Sequence, residues 1–286
     1  MLSGKLTWNN MISVSKAHTP QIAISSRVDQ RVGNLIDFAL QNHFRAIEYT
    51  IKAEDTPLLK KEIPAIDALA GSALDIRYHA PFKTVELSHK DREYTERSSK
   101  YLKECIDVIA DHGAHHMVVH IAFGFRFSLE SLSYSHALKY LEEVASYGHA
   151  RGVTVCLENL TYGWTNNPET FLELVRESGA RATIDIGHLS ASPLIVDGDL
   201  PGTDFIRMLA PYIAGAHVYE IEIFDTDAMT PRHIAPKDTT IIQPLLTELL
   251  HTDCNWWLIE LGDKREVMET NQLLTNFLSG CSMEIT

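Results

Sequence analysis

Four apolar runs in this chain lead to side chains that bind metal ions or carry protons. "VTVCLEN" reaches Glu158, "RATIDIG" reaches Asp185, "IAGAHVY" contains His217 and "WWLIELG" reaches Glu260. Acids are almost never fully buried unless they are paired or bound to a metal. Four such groups on one rim would repel one another or lose solvation badly without a compensating cation. Glu158, Asp185, His217 and Glu260 are therefore expected to hold a divalent metal ion. Three carboxylates and an imidazole suit an ion of intermediate hardness, and manganese, cobalt, magnesium and zinc all accept that set. Three further runs end in the same way, at Glu48, His79 and His120. For Glu48, whose neighbours are less telling, a helix cap, a loop hydrogen bond or a satisfied core group is expected.

Such a ring needs a scaffold that brings strand ends together. Strands are read at "QIAISS", "FRAIEYT", "LDIRYHA", "HMVVHIA", "VTVCLEN", "RATIDIG", "IAGAHVY" and "WWLIELG". Between them lie helical patterns such as "VGNLIDFALQNH", "REYTERSSKYLKECIDVIADHG", "SHALKYLEEVASYGHARG" and "PETFLELVRESG", the last three ending at or near a glycine. Asn167 is placed to cap the last of these, with Pro168 at its first helical position. Strand alternating with helix implies parallel pairing through crossovers. Eight such units without a polar linker predict one α/β domain over residues 1–286, a single (β/α)8 TIM barrel, with residues 1–19 as an N-terminal extension. A doubly wound sheet is the runner-up, but no GxGxxG follows the first strand. In a parallel barrel the strand C-termini share one face, where active sites lie. His115 and His116 begin a strand at the opposite end and are given no catalytic role.

Length and charge narrow the classes. With 286 residues and 45% hydrophobic content, the chain is long enough for a barrel of roughly 250 residues. A net charge of −13 argues against general nucleic-acid or anionic-membrane binding, since little of the surface would attract a polyanion. Cys105, Cys156, Cys254 and Cys281 form no CxxC pair, which predicts reduced thiols in a cytoplasm. No stretch reads as a signal peptide or membrane span. A homo-oligomer is compatible with the sequence.

"CLENLTYG", "TIDIGHL", "GAHVYE" and "LIELG" together resemble the strand ends of the xylose isomerase-like barrel superfamily, which includes sugar isomerases and epimerases and the apurinic/apyrimidinic endonucleases. The resemblance runs from about residue 20 to 275 and is strongest from 153 to 262. The epimerase branch implies one ion on Glu158, Asp185, His217 and Glu260, with Glu158 and Glu260 as the two faces of proton transfer and His188 against substrate oxygens. A metal bridging a carbonyl and a neighbouring hydroxyl acidifies the intervening C–H and stabilises an enediolate. Two carboxylates can then remove and return the proton. One departure is visible: "HVYEIEIFD" lacks the arginine that epimerases often carry after that histidine.

The endonuclease branch is similar at other positions. "YHAPF" and "VVHIAF" put His79 and His120 where that branch holds its first ion, with Glu158 bridging to the second. "TPRHIAPKD" resembles its "DRH" segment, giving Arg232 and His233. Pro231 stands where the third ion's aspartate belongs, so a complete three-ion set is expected to fail although His188 and His233 remain. Weaker substrate-binding candidates are Arg126 within "FGFRF", beside Phe123 and Phe125, and Lys83 after "HAPF". Tyr162 and Trp164 are candidates for stacking on a sugar ring. Loop packing and a solvated surface lysine are the bland alternatives.

Three functions follow. The first is a divalent-metal-dependent isomerase or epimerase of a small polyhydroxy substrate, a sugar, sugar acid, cyclitol or related polyol. The second is a metal-dependent hydrolase with a di- or trinuclear site acting on a phosphodiester or another polar bond. The third is a non-catalytic barrel that keeps its ligands for structural metal or partner binding.

Overall fold

The computed structural model describes residues 19–122, 128–225 and 230–283. Residues 1–18 of the N-terminal extension, Phe123, Phe125 and Arg126 lie outside them. Among the described residues there are ten strands, those of the barrel mostly apolar: β1 (Gln21–Ser25), β2 (Ala46–Thr50), β3 (Asp75–His79), β4 (His116–Val119), β5 (Thr154–Glu158), β6 (Arg181–Asp185), β7 (Ile213–Val218), β8 (Ile221–Asp225), β9 (Thr230–Ile234) and β10 (Trp256–Ile259). Eight of them close into a parallel barrel in the order β1-β10-β7-β6-β5-β4-β3-β2. Strand β1 pairs with both β2 and β10, so no edge is left and the doubly wound alternative is excluded. The expected (β/α)8 barrel is the fold.

Local chemistry sets the element ends. Asn167 Oδ1 accepts the Thr170 N–H at 3.0 Å, and Pro168 opens the helix behind it. That helix stops at Gly179, whose φ of 74° is cheap only without a Cβ. Asp55, Asp91 and Ser133 cap three more helices. The helices wrap their apolar faces around the barrel. Among the described residues, none is long and apolar enough to cross a membrane.

Alternation along the strands sends every second residue inward. At the closed end Arg77 crosses the interior, donating to the Ala214 carbonyl at 2.9 Å and lying 4.3 Å over the Trp256 ring. Gly215 makes room for it: a Cβ there would stand 3.2 Å from Arg77 Nη1. Ala23, Ala46, Trp256 and Leu258 form a separate buried cluster. One layer further on, the same period brings Glu48, His79, Glu158, Asp185 and His217 to the open end.

The hairpin β8–β9 is an element the sequence reading did not anticipate. It is antiparallel, stands outside the barrel sheet and pairs Glu222 directly with His233. It starts just after β7 and lays two polar side chains over the open end.

Candidate metal centre

Glu158, Asp185, His217 and Glu260 each bring a donor atom within 4.8 Å of the others. They belong to β5, β6, β7 and the residue after β10, which are successive in the barrel wall. Asp185 divides its carboxylate between two tasks. Oδ1 accepts the His188 N–H at 2.6 Å and so caps the helix Ile186–Ala191, while buried Oδ2 accepts no aligned hydrogen bond. Asn159 fixes the strand ends from beside it. Its amide donates to the Asp185 carbonyl at 2.9 Å and its Oδ1 accepts the Asp185 N–H at 2.8 Å.

His217 turns Nδ1 toward the acids, 3.3 Å from Glu260 and 3.4 Å from Glu158, while Nε2 lies 3.0 Å from Glu48 Oε1. Glu48 is thus a buried group facing a candidate ligand. A proton on Nε2 pointed at Glu48 leaves the Nδ1 lone pair for an ion, the common carboxylate–histidine–metal arrangement.

Two more clusters flank the first. His79, His120 and Glu158 form one, and His188, Glu222 and His233 form the other. Nδ1 of His79, His188 and His233 lies 2.8 to 2.9 Å from the carbonyls of Ala80, Asn159 and Glu260 respectively. Protons assigned to those nitrogens leave each Nε2 as a donor pair. His79 Nε2 then points at His120 Nε2, 3.2 Å away, and at Glu158 Oε2, 3.3 Å away. Glu222 Oε2 lies 3.2 Å from His188 Nε2 and 3.7 Å from His233 Nε2, with its other oxygen accepting from Thr161 Oγ1 at 3.0 Å. Pro231 supplies no donor to this cluster, and the cluster's carboxylate is Glu222. The acid comes from the facing hairpin strand.

Burial pushes Asp185 up, and the charges of Glu158 and Glu260 add to that against the pull of His188 and His217. Burial works against a charged His188, yet Asp185, Glu222 and Glu158 outweigh it and raise the ring to about 10. His217 is raised well above its ordinary value, with Glu158 and Glu48 overcoming burial. Glu158 is held well below the carboxylate range despite burial, chiefly by His217 and His120. His120 and His233 are lowered by burial. Clustered carboxylates recruiting protons onto rings behave as a site built for positive charge. The donor set, the tautomers that the backbone carbonyls favour and the lone pair on buried Asp185 Oδ2 fit a divalent cation.

A cleft of about 270 Å³ opens above this centre, with His79, His120, Glu158, His188, His233 and Glu260 in its wall. Lys83 lines its mouth and is exposed. Trp164 packs edge-on against Tyr134 at 5.3 Å, away from the cleft wall, and Tyr162 is exposed. Arg232 is exposed on β9, facing Ile223 in register. His116 lines a separate cavity of about 310 Å³ at the closed end with Arg77 and Trp256, far from these clusters. Sequence reasoning missed Glu222, Asn159, Arg27 and the partnership of Glu48 with His217. Only Glu222 had a signal, the alternation "EIEIF" after the strand-seven histidine.

Gly187 also finds its reason here. A Cβ on it would stand 1.9 Å from the Tyr219 ring. Tyr219 is buried and stacks on His233 at 3.9 Å with an interplanar angle of 4°. The glycine lets that ring lie under the hairpin and hold His233.

The profile of the family described as xylose isomerase-like TIM barrel matches residues 36–276, and the chain belongs to that family. A curated relative, the uncharacterized protein MJ0008 of Methanocaldococcus jannaschii, is 28% identical over 203 residues, covering 71% of this chain and 80% of the relative. Among solved structures, a D-tagatose 3-epimerase-like protein superposes with a TM-score of 0.72 at 17% identity, covering 93% of this chain and all of the other. The IOLI protein, solved with a bound zinc atom, has a TM-score of 0.70 at 14% identity, over 91% of this chain and 98% of that one. At such identities the likeness is one of fold.

Proposed function

We propose that this chain is a divalent-metal-dependent isomerase or epimerase of a small polyhydroxy substrate. The observation that carries the reading is the barrel order: Asp185 and His217 lie between Glu158 on one side and Glu260 on the other. Both glutamates line the same cleft. A divalent ion on Glu158, Asp185, His217 and Glu260 would supply Lewis acidity that acidifies a carbon flanked by carbonyl and hydroxyl. The two glutamates would then take a proton from one face of that carbon and return it to the other. His188 Nε2 would contact a substrate oxygen. A cleft of about 270 Å³ suits a molecule of monosaccharide size, and the sugar epimerases among the fold neighbours support the same class. The test is incubation of manganese- or zinc-loaded protein with a broad ketose panel in deuterated water. Deuterium at the carbon beside the carbonyl, lost in Glu158→Gln and Glu260→Gln, is the expected result. No incorporation across the panel refutes the reading.

A second reading has an observation of its own. Glu158 is almost enclosed by His79, His120, His188 and His217, at 3.1 to 3.4 Å. A carboxylate so engaged serves well as a bridge between two ions, and Glu222 restores a third cluster. A multi-ion centre of that kind activates water for hydrolysis of a phosphodiester or other polar bond. Two or three tightly held ions with cleavage of an abasic-site duplex would favour it. One ion with deuterium uptake favours the first.

A further inference from the structure

The cleft is polarised around its rim. Of the carboxylates in its wall, Glu158 and Glu260 come from β5 and the end of β10, and Glu222 from the hairpin. The lysine and arginine side chains that line the mouth, among the described residues, are Arg27, Lys52 and Lys83. They follow β1, β2 and β3, which are neighbours in the barrel wall. One sector of the opening thus carries most of the acids, and another carries the three bases with Glu54.

Arg27 is the best placed of the three. Its Nε lies 3.7 Å from Glu260 Oε1, and its Nη1 crosses the His233 ring within 3.0 Å of both nitrogens. The guanidinium therefore reaches the edge of the centre while remaining 39% exposed to solvent. Lys52 Nζ donates to Gln30 in the same β1–β2 sector. In the β1–β3 sector of the mouth Arg27, Lys52 and Lys83 outnumber Glu54. That sector is locally positive in a chain of net charge −13, and surfaces lined by one sign of charge concentrate ligands of the other.

We infer that the substrate carries an anionic group, phosphate or carboxylate, seated between Arg27 and Lys52, with its hydroxyl-bearing end over the metal centre. This rests on the metal-dependent reading above and names its substrate class. Arginine suits the task because its planar fork meets two oxygens of such a group at once.

The experiment uses one carbon skeleton in three charge forms: D-glucitol, D-gluconate and D-glucitol 6-phosphate. Each is titrated by calorimetry into metal-loaded wild-type protein and into Arg27→Gln/Lys52→Gln, with ion content measured on the same samples. At least one anion is expected to bind about tenfold or more tightly than glucitol, as charge-assisted hydrogen bonds imply. The gluconate and phosphate arms tell the two groups apart. The double variant should lose that preference while keeping its ion content and its affinity for glucitol. A Lys52→Gln single variant, on an exposed residue, should lose part of it even if Arg27→Gln loosens Glu260. Loaded wild-type protein that binds glucitol as well as both anions, or binds none of the three, overturns the inference and leaves the metal reading standing. A preference that survives the double variant overturns it too. Protein that takes up no ion overturns both.

Discussion

Asp185→Asn separates the two tasks that one carboxylate performs. The amide keeps an oxygen where Oδ1 caps the His188 N–H at 2.6 Å, so the helix start is preserved. It puts an NH2 where buried Oδ2 now faces His217 Nδ1 at 3.7 Å and His188 Nδ1 at 3.5 Å. Two effects of opposite sign follow. Asp185 is raised above its ordinary value by burial, so its ionised form costs stability at neutral pH, about 1.4 kcal/mol for each unit of elevation. The amide removes that cost. Chelator-treated Asp185→Asn should therefore melt above chelator-treated wild type. The ion loses a charged donor, which should cost more than the roughly 100-fold that supporting partners can cost. Asp185→Ala loses the donor and also the cap, worth about 1 kcal/mol, and should melt below the asparagine variant. The assay is scanning calorimetry with and without excess chelator, together with titration of Mn2+ or Zn2+. Wild-type metal affinity in Asp185→Asn would show that the carboxylate is only a helix cap, and the reasoning about the centre would fail.

Other perturbations report on separate parts of the site. Glu48→Gln keeps the volume beside His217 but removes the charge behind the ring, and metal affinity should fall about 10-fold or more; an unchanged titration would mean that Glu48 merely fills space. Gly187→Ala forces a methyl to within 1.9 Å of the Tyr219 ring, an overpacking that typically costs about 1–3 kcal/mol. Its Tm should drop by several degrees and binding at the hairpin cluster should weaken, and a variant that melts like wild type contradicts this packing. The raised ring of His188 makes a pH prediction for chelated protein. Its folded value of about 10 lies above the unfolded 6.5, so its stabilisation is complete below about 6.5 and is lost as pH rises toward 10. Chelated protein should lose Tm across that window while loaded protein, with an ion in place of the proton, loses less; identical profiles would count against it.

The barrel and its ring were legible because two periodicities coincided. Apolar runs of strand length ended in an acid or imidazole, and capped helices such as Pro168–Ser178 filled the intervals. Every barrel strand falls on a quoted run, since burial on both faces leaves a dense apolar signal. The hairpin was opaque for a matching reason. "EIEIF" alternates as a half-exposed strand does, but it follows β7 so closely that it reads as loop, and Glu222 was hidden with it. The pairing of Glu48 with His217, and the reach of Arg27 to Glu260, depend on distances across a closed barrel that neighbours in the chain do not encode. Asn159 sat inside a quoted motif, yet its hold on both backbone groups of Asp185 is a property of β5 lying beside β6.

The ribbon of β8 and β9 makes part of the centre changeable in discrete steps. Glu222 and His233 face the cluster because they are directly opposed across that ribbon, and side chains on a strand alternate strictly between its two sides. Inserting or deleting one residue in either arm would turn a donor out to solvent, while two would return a side chain to the same side one rung away. Viable length changes in this appendage should therefore come in pairs. The donors on the barrel strands, held by a closed sheet, would stay where they are.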